Sequence, residues 1–374
     1  MALVGCGSSA IQMLPNLQRK CSKVYNFVRG GTWVTQPFGS TFTENILSKG
    51  TEEGNYTYTV EEKARFNNDP EYYQRFRKEM ESFINKDYPC LFPGTPEEMV
   101  STKKIEENMY HKLISKPGLF EVMKPRFIPG CRRLTPGPGY LEAIVQDNVQ
   151  LIQTPISRVT ESAVIAQDGR EWAIDAIACA TGFDSSHMPR FPVVGRNGAT
   201  LSARWNEHAT AYLSLSVPGF PNYFVSGGPN SATGGGSLLL IFESIIGYIV
   251  KAVEKISRKH IKSMEVKETA LSSWSLYLDQ YFPKTVHVDN CTSWYKVNGK
   301  IVGLWPGSSL HAMKTLENPR WEDYNYEALD GRNQLDWIGN GWTLEDAKRG
   351  NLSYYLDCSV KPPIPSEETL TRQP

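Results

Sequence analysis

The sequence predicts an α/β fold in which helices cover a parallel sheet. Residues 2–4 form a short apolar run that leads directly into a glycine-rich segment at 5–7. Residues 9–19 have helical character, and a second apolar, β-rich run follows at 23–28. A strand, a helix and a second strand in this order form a βαβ unit, in which the two strands are parallel.

A helical insert is predicted next. Residues 61–86 and 97–115 are charged and have aromatic side chains at helical spacing, which is typical of amphipathic helices. Alternating polar and apolar residues then predict strands within 149–165, and residues 167–170 predict a turn.

Two further strands and a long helix are predicted in the second half of the chain. Residues 174–180 and 220–225 are apolar runs, each followed two residues later by a glycine, and we interpret both as strands, the first of them buried. Residues 237–256 predict a long apolar helix. The tail at 361–374 is rich in proline and charge, and it is expected to fray.

Length and charge limit the class of protein. The chain has 374 residues, so two domains are expected. Lys+Arg and Asp+Glu number 40 each, which gives no electrostatic basis for binding nucleic acid or an anionic membrane. No run of about 18 apolar residues is present, so no membrane span is predicted. Met1 is followed at once by the first strand, without the pattern of a signal peptide, and a cytoplasmic location is expected.

Cysteine and histidine spacing gives no sign of a metal centre. The seven cysteines have no C-x-x-C pattern, and they are expected to be reduced, mostly packed thiols of an intracellular protein. The six histidines have no H-x-x-x-H or H-x-E spacing, so no metal site is predicted. The cysteines are Cys6, Cys21, Cys90, Cys131, Cys179, Cys291 and Cys358.

The glycine-rich segment has the form of a Rossmann phosphate-binding turn. Gly5 permits the sharp turn out of the strand, and Gly7 allows the backbone to approach a pyrophosphate. Ala10 keeps the helix close to the strand, while Ser8 and Ser9 add hydroxyl donors at a helix N-terminus that favours anions. A tight strand–helix turn without a ligand is the alternative interpretation.

The end of the second strand selects the nucleotide. Sites for NAD tend to have an acidic residue there, which binds the ribose 2′-hydroxyl. This chain has Arg29, followed by Gly30 and Thr32, and a cation at that position favours a 2′-phosphate. NADP is therefore predicted over NAD or FAD for this turn. An ordinary surface arginine is the alternative.

Several segments in collinear order resemble the flavin-containing and Baeyer–Villiger monooxygenase family, in the form found in fungal specialised metabolism. The similarity extends over roughly residues 1–330. The segments are 5–12, 29–33, 130–140, 180–184, 220–224, 228–230, 294–295, 305–308 and 319–323.

The resemblance implies two cofactors, NADP(H) and FAD, and a role for each segment. Residues 130–140 resemble the loop with the active-site arginine, which makes Arg133 the cation that stabilises negative charge beside the flavin. A structural role for Arg133, or Arg132 in its place, is the alternative. The implied NADP residues are Gly5, Gly7, Ser8, Ser9, Ala10, Gln12, Arg29, Gly30 and Thr32. The implied FAD-side residues are Thr181, Gly182, Gly228, Pro229 and Asn230.

The resemblance also implies that a segment of the family is missing. Family members begin with an FAD-binding half-domain and its own glycine turn, whereas Met1 falls where their NADPH domain starts. We therefore predict a Rossmann-like NADPH domain at 1–178, with the helical insert at about 60–125. Residues 179–374 are predicted to be the C-terminal part of a truncated, Rossmann-like FAD domain with a C-terminal extension.

The predicted function is an FAD- and NADPH-dependent monooxygenase of Baeyer–Villiger type that acts on a small-molecule ketone or a related substrate. A truncated homologue without flavin chemistry is the alternative, as a redox-neutral enzyme for cyclisation or isomerisation or as an accessory or inactive protein. A homo-oligomer or a partner chain is expected, because the apolar strands at 174–180 and 223–225 would otherwise be exposed.

Overall fold

The computed structural model describes residues 1–38, 42 and 56–356. The chain divides into two compact units. The first comprises Met1–Val253 and Met264–Asn325, and the second Glu254–Ser263 and Tyr326–Pro374. Neither division falls at 178/179, and that domain boundary stays a prediction. The tail at 361–374, which was expected to fray, lies outside the described residues.

The secondary structure is mixed. The strands are β1 Ala2–Val4, β2 Val24–Phe27, β3 Val34–Thr35, β4 Thr135–Pro136, β5 Val149–Ile152, β6 Ile156–Val159, β7 Ala163–Ala166, β8 Glu171–Ala173, β9 Ile177–Cys179, β10 Ile261–Val266, β11 Lys296–Val297, β12 Lys300–Ile301 and β13 Tyr324–Ala328. The α-helices are α1 Ser8–Lys20, α2 Val60–Asn68, α3 Pro70–Asn85, α4 Pro96–Leu113, α5 Leu119–Met123, α6 Tyr140–Ile144, α7 Leu201–Arg204, α8 Leu238–Arg258, α9 Glu268–Tyr281, α10 Ser309–Glu317 and α11 Leu344–Lys348. Short 3-10 helices lie at Tyr88–Leu91, Arg196–Gly198, Phe282–Lys284, Val286–Val288, Trp321–Asp323, Asp336–Ile338 and Tyr354–Leu356.

A four-stranded parallel sheet organises the first unit. Its strand order is β5-β2-β1-β9, and Leu3 of β1 is paired with Asn26 of β2 and Ala178 of β9. The helix α1 connects β1 to β2 and buries Ala10 and Leu14. The predicted βαβ unit and the α/β fold class are therefore confirmed, since local apolar periodicity already specifies which face of each element is buried.

Each face of this sheet has its own core. On one face, the buried side chains of Leu3 and Leu14 pack with Met109, Leu113 and Tyr140 from α4 and α6. On the other face lies the antiparallel sheet β6-β7-β8, from which Trp172 meets the Phe27 ring edge-on at 5.5 Å. The strand β1, which ends in the glycine turn, is therefore packed on both faces of the sheet.

The predicted helical insert is present as α2, α3 and α4. Thr59, Asp69 and Thr95 cap these helices by accepting hydrogen bonds from first-turn backbone N–H groups. The helix α4 joins the sheet core, whereas α2 and α3 are mostly exposed and contact each other through aromatic rings such as those of Phe66 and Phe76.

The prediction of a buried strand at 174–180 is wrong in its burial. The strand is β9, which lies at the edge of the parallel sheet, and Ile177 is 38% exposed while Cys179 is also exposed. An edge strand has one neighbour only, so its outer side stays open. The open edge at residues 177–179 therefore belongs to the four-stranded parallel sheet.

The strand predicted at 220–225 is not formed. Gly219 and Asn222 have positive φ angles of 85° and 59°, and Pro221 has no backbone N–H to donate. The segment therefore turns, and its only strand-like contact among the described residues is the bridge between Phe224 and Ser216. The long helix predicted at 237–256 is confirmed as α8.

The expectation of reduced thiols is wrong for one cysteine pair. Cys131 and Cys291 form a disulfide across 160 residues of sequence. Nothing in their spacing indicates this, because the fold alone brings them together. Among the described residues, Cys6, Cys21, Cys90 and Cys179 are free.

Candidate functional site

The glycine turn has one glycine that the fold requires and one that leaves space. Gly5 has a φ of +125°, and a Cβ there would lie 2.3 Å from the Ala180 carbonyl oxygen. Gly7 is the N-cap of α1 and has no capping side chain. A Cβ on Gly7 would meet no protein atom within 4 Å. The first turn of α1 therefore faces a gap in which backbone N–H groups can receive an anion.

Asn26 is a positioning residue that the sequence analysis missed. Its side chain is fully buried on β2, and Nδ2 donates to the carbonyls of Leu3 and Gly5 at 3.1 and 3.0 Å. These bonds fix the peptide at the start of the turn. The available signal was a single amide inside the apolar run at 23–28.

Some side chains after Gly7 are already hydrogen-bonded or buried, and others are open to a ligand. Ser8 Oγ lies 2.6 Å from Thr135 Oγ1, which ties the start of α1 to β4. Gln12 Nε2 donates to the Ser8 carbonyl, and Ala10 is buried against the sheet. Ser9 is exposed at the helix N-terminus. Ser9 and the backbone N–H groups are thus the groups open to a ligand here.

The end of β2 leads to an exposed cation. Arg29 is exposed, and a Cβ on Gly30 would meet no atom within 4 Å. Thr32 is buried, and the indole of Trp33 donates to the Phe127 carbonyl at 2.7 Å. This hydrogen bond attaches the segment after β2 to Phe127. Phe127 is the first residue of the arginine loop, which we define as residues 127–136.

Arg132 is oriented toward the glycine turn. Its guanidinium lies 4.8 Å from the Phe127 ring centroid and interacts electrostatically with Cys6 and Arg29. Burial, with a further contribution from Arg29, lowers the pKa of Arg132, while Cys6 opposes this shift. Its Nε is buried without a hydrogen-bond partner. Two cations and an unpaired donor thus face the same anion-accepting turn.

Arg133 has a different set of partners from Arg132. Its Nη1 donates to the Thr233 carbonyl at 3.2 Å, and its guanidinium hydrogen-bonds to Tyr295. Burial raises the pKa of Tyr295 to about 12 although Arg133 lowers it. The two adjacent arginines therefore interact with different residues, and this difference could not be predicted from their positions in the sequence.

The arginine loop is held by the segment at 286–291. The backbone N–H of Ile128 donates to Asp289 Oδ2 at 2.7 Å, and His287 Nδ1 donates to the Gly130 carbonyl at 3.1 Å. Burial lowers the pKa of His287 to about 4, so the imidazole is neutral near pH 7. The disulfide between Cys131 and Cys291 adds a covalent connection.

A cavity of about 570 Å³ lies beside the arginine loop. The helical insert forms one wall, and both arginines line it. Its lining includes Phe83, Leu91, Ile105, Arg132, Arg133 and Tyr295. An apolar cavity with a few cations suits a small organic molecule with polar groups.

The residues implied for the flavin side are largely used within the protein. Asn230 Nδ2 donates to the carbonyls of Ile301 and Leu304 at 2.8 and 3.0 Å. A Cβ on Gly228 would lie 2.5 Å from the Ser214 carbonyl oxygen. Pro229 is buried between these two residues.

The implied FAD-side residues just after β9, which we call the hinge, are open. Thr181 and Gly182 are both exposed, and Gly182 has a φ of +104° with no atom within 4 Å of a Cβ. These two residues can approach a ligand, whereas the amide of Asn230 is already satisfied.

The part of the chain that the structure describes has neither a metal centre nor a membrane-spanning helix. No group of three His, Cys, Asp or Glu residues there could hold a metal ion. None of the described helices is long and apolar enough to cross a membrane.

The parallel sheet, the open glycine turn and the converging arginines define an α/β protein with a candidate dinucleotide site. Sequence comparison identifies homologues. The chain is 34% identical over 362 residues to the FAD-binding monooxygenase tazF of Aspergillus terreus, covering 95% of this chain and 63% of that protein. It is 33% identical to the FAD-binding monooxygenase moxY of Dothistroma septosporum, covering 93% of this chain and 54% of that protein. The chain is homologous to the FAD-binding and Baeyer–Villiger monooxygenases, the family that its motifs resemble.

Solved structures show the same fold. A steroid monooxygenase bound to NADP superposes with a TM-score of 0.66 at 20% identity, covering 87% of this chain and 66% of that one. The OTEMO complex with FAD and NADP gives 0.70 at 17% identity with the same coverage. No family model matches the chain. The chain spans 54–63% of the length of the three fungal FAD-binding monooxygenases among its relatives, tazF, moxY and stcW.

Proposed function

We propose that this protein is an NADPH- and FAD-dependent monooxygenase of Baeyer–Villiger type. The observation that supports this best is the arginine loop, which places Arg132 beside the glycine turn and both Arg132 and Arg133 at the cavity. Homologues over 95% and 93% of the chain are FAD-binding monooxygenases.

The residues around the turn fit NADP(H). The gap at Gly7 leaves room for a pyrophosphate, and the backbone N–H groups of Ser8 and Ser9 stand at the N-terminus of α1. Arg29 and Arg132 would hold the 2′-phosphate, and this would give the unpaired Nε of Arg132 an acceptor. In such enzymes NADPH supplies a hydride and the flavin performs the oxygen chemistry.

Arg133 is the proposed catalytic residue. It lines the cavity, and its contacts with Thr233 and Tyr295 fix its direction. Arginine keeps its charge in proteins, so it can stabilise negative charge that develops on the substrate side of the cavity. The cavity would hold a small-molecule ketone or a related substrate, with Phe83 and Leu91 excluding water from it.

We propose fewer FAD-contacting residues than the sequence implied. Thr181 and Gly182 are free to approach FAD, whereas Asn230 and Gly228 are committed to internal contacts. Because these internal contacts reduce the number of groups open to FAD, a redox-neutral homologue is the alternative that the experiments below must distinguish.

We also propose that the chain associates with another copy of itself or with a partner chain. Phe183 is 93% exposed next to the hinge, and α8 has several exposed apolar side chains. Such surfaces usually mark an interface.

The first experiment is a visible spectrum of the purified chain with and without added FAD, followed by NADPH oxidation. A yellow protein that oxidises NADPH in the presence of a ketone supports the proposal. A colourless protein that takes up no flavin but converts a metabolite supports the redox-neutral alternative. A protein that does neither contradicts both enzymatic proposals.

The second experiment measures nucleotide affinity. Arg29→Ala removes one charge-assisted contact to the 2′-phosphate, so NADP⁺ binding should weaken about tenfold or more while NAD⁺ binding is unchanged. Arg19→Ala, at the exposed C-terminal end of α1, is the matched control and should leave both affinities unchanged. If Arg29→Ala leaves NADP⁺ affinity unchanged in calorimetry, the assignment of this turn is incorrect.

A further inference from the structure

Cys131, which forms a disulfide with Cys291, directly precedes the two arginines of the proposed site in the sequence. We propose that it is a thiol–disulfide exchange site, and that its reduction by a dithiol loosens the arginine loop and weakens nucleotide binding. The effect on the nucleotide rests on the proposed function, whereas the exchange reaction does not.

The two sulfur atoms have different surroundings. Cys131 is fully buried and Cys291 is partly exposed, so an external thiolate can reach only Cys291. Lys296 Nζ lies 3.4 Å from Cys131 Sγ and 3.6 Å from Cys291 Sγ. An ammonium group beside a leaving sulfur stabilises the thiolate and speeds its departure.

The exchange proceeds in two steps. A thiolate of the dithiol attacks Cys291 Sγ, the bond to Cys131 breaks, and Cys131 leaves as a thiolate beside the Lys296 ammonium. The second thiolate of the dithiol then attacks the mixed disulfide and releases Cys291. The dithiol loses two electrons and becomes a disulfide, while its two protons end on the two cysteines or in solvent.

Reduction removes a covalent connection but leaves the weaker contacts in place. The hydrogen bonds from Ile128 to Asp289 and from His287 to Gly130 do not involve sulfur. The fold should therefore persist, while Arg132 and Arg133, the next two residues after Cys131, lose a fixed anchor. Because Arg132 lies beside the glycine turn and both arginines line the cavity, the turn and the cavity should respond together.

The exchange reaction is tested on the full chain in mixtures of reduced and oxidised dithiothreitol, by acid quenching, alkylation and mass spectrometry of the two cysteine peptides. Lys296→Met removes the ammonium group, so half-reduction should need a roughly tenfold higher ratio of reduced to oxidised dithiothreitol. Lys296→Arg should restore the wild-type ratio, which a purely structural role would not require. A disulfide that stays intact in excess dithiothreitol, or one equally reducible in Lys296→Met, would overturn the proposal.

The consequence for the site is tested by NADP⁺ affinity and by hydrogen exchange of the arginine loop. We expect weaker binding and faster exchange in the reduced chain. The double variant Cys131→Ser/Cys291→Ser should show both properties in either buffer, and Cys179→Ser, a free and exposed cysteine, should behave as wild type. Unchanged loop exchange on reduction contradicts the proposal. If neither redox state binds NADP⁺ but loop exchange still responds to reduction, the proposed function fails and the exchange site stands.

Discussion

At the scale of single residues, the two glycines of the turn have separate tasks. Gly5 is fixed by the protein itself, because its φ of +125° and the nearby Ala180 carbonyl exclude a side chain. Gly7 has an ordinary φ of −82° and an empty space where a Cβ would lie. The first glycine is therefore required by the packing around it, whereas the space beside the second is open to a ligand.

This difference predicts opposite outcomes for two substitutions. Gly5→Ala should lower the free energy of unfolding by about 2–4 kcal/mol, since it adds both strain and a clash. Gly7→Ala should unfold at nearly the wild-type urea concentration but lose most of its NADP⁺ affinity. Urea titration and calorimetry measure the two effects. Equal stability losses in both variants would contradict this division of roles.

At the scale of elements, the arginine loop is positioned by the short 3-10 segment Val286–Val288. His287 is 3% exposed, donates to Gly130 and lies against Tyr295, which itself contacts Arg133. The loop has almost no regular structure of its own. Its geometry therefore depends on a segment more than 150 residues away in sequence, as the separation of 157 between Gly130 and His287 shows.

The buried imidazole predicts a pH dependence of stability. Its pKa is about 4 in the folded chain and 6.5 in an ordinary histidine, so the unfolded chain binds more protons between these values. The free energy of unfolding should be fully retained above pH 6.5 and should fall as the pH drops toward 4, by roughly 3 kcal/mol.

The measurement is urea unfolding between pH 7 and pH 4.5, with His287→Gln beside the wild type. The glutamine variant should lose much of the pH dependence. His111→Gln, at an exposed position on α4, should keep it. The same slope in wild type and His287→Gln would show that another group is responsible.

At the scale of the whole molecule, the described surface is unusually apolar along α8. Leu239, Ile246, Val250 and Val253 are each at least half exposed on this helix. Their spacing of three, four and seven residues places them on one side of the helix. A stripe of this kind costs free energy in water and favours association.

We expect the wild-type chain to associate and the double variant Ile246→Lys/Val250→Lys to shift toward the monomer in light scattering. Gln74→Lys adds a lysine at an exposed polar position of α3, outside the stripe, and should not change the mass. A wild-type chain that is monomeric at every concentration would contradict the proposed interface.

Much of the fold follows from local sequence patterns. The βαβ unit, the glycine turn and the capped helices of the insert were all predictable, because apolar periodicity, glycine at a turn and capping residues act within a few positions. The segment at 220–225 shows where this fails. Its apolar residues suggested a strand, but Pro221 and the positive φ of Asn222 turn the chain instead.

The candidate site was predictable in its residue types and not in its geometry. By itself the sequence determined the glycine turn, the cation Arg29 and the presence of an arginine pair. Only the tertiary structure decided that Arg132 and Arg133 have different partners, that Ile177 lies on an open edge, and that Cys131 meets Cys291. The physical reason is that these features depend on contacts between residues far apart in the chain, which no local pattern specifies.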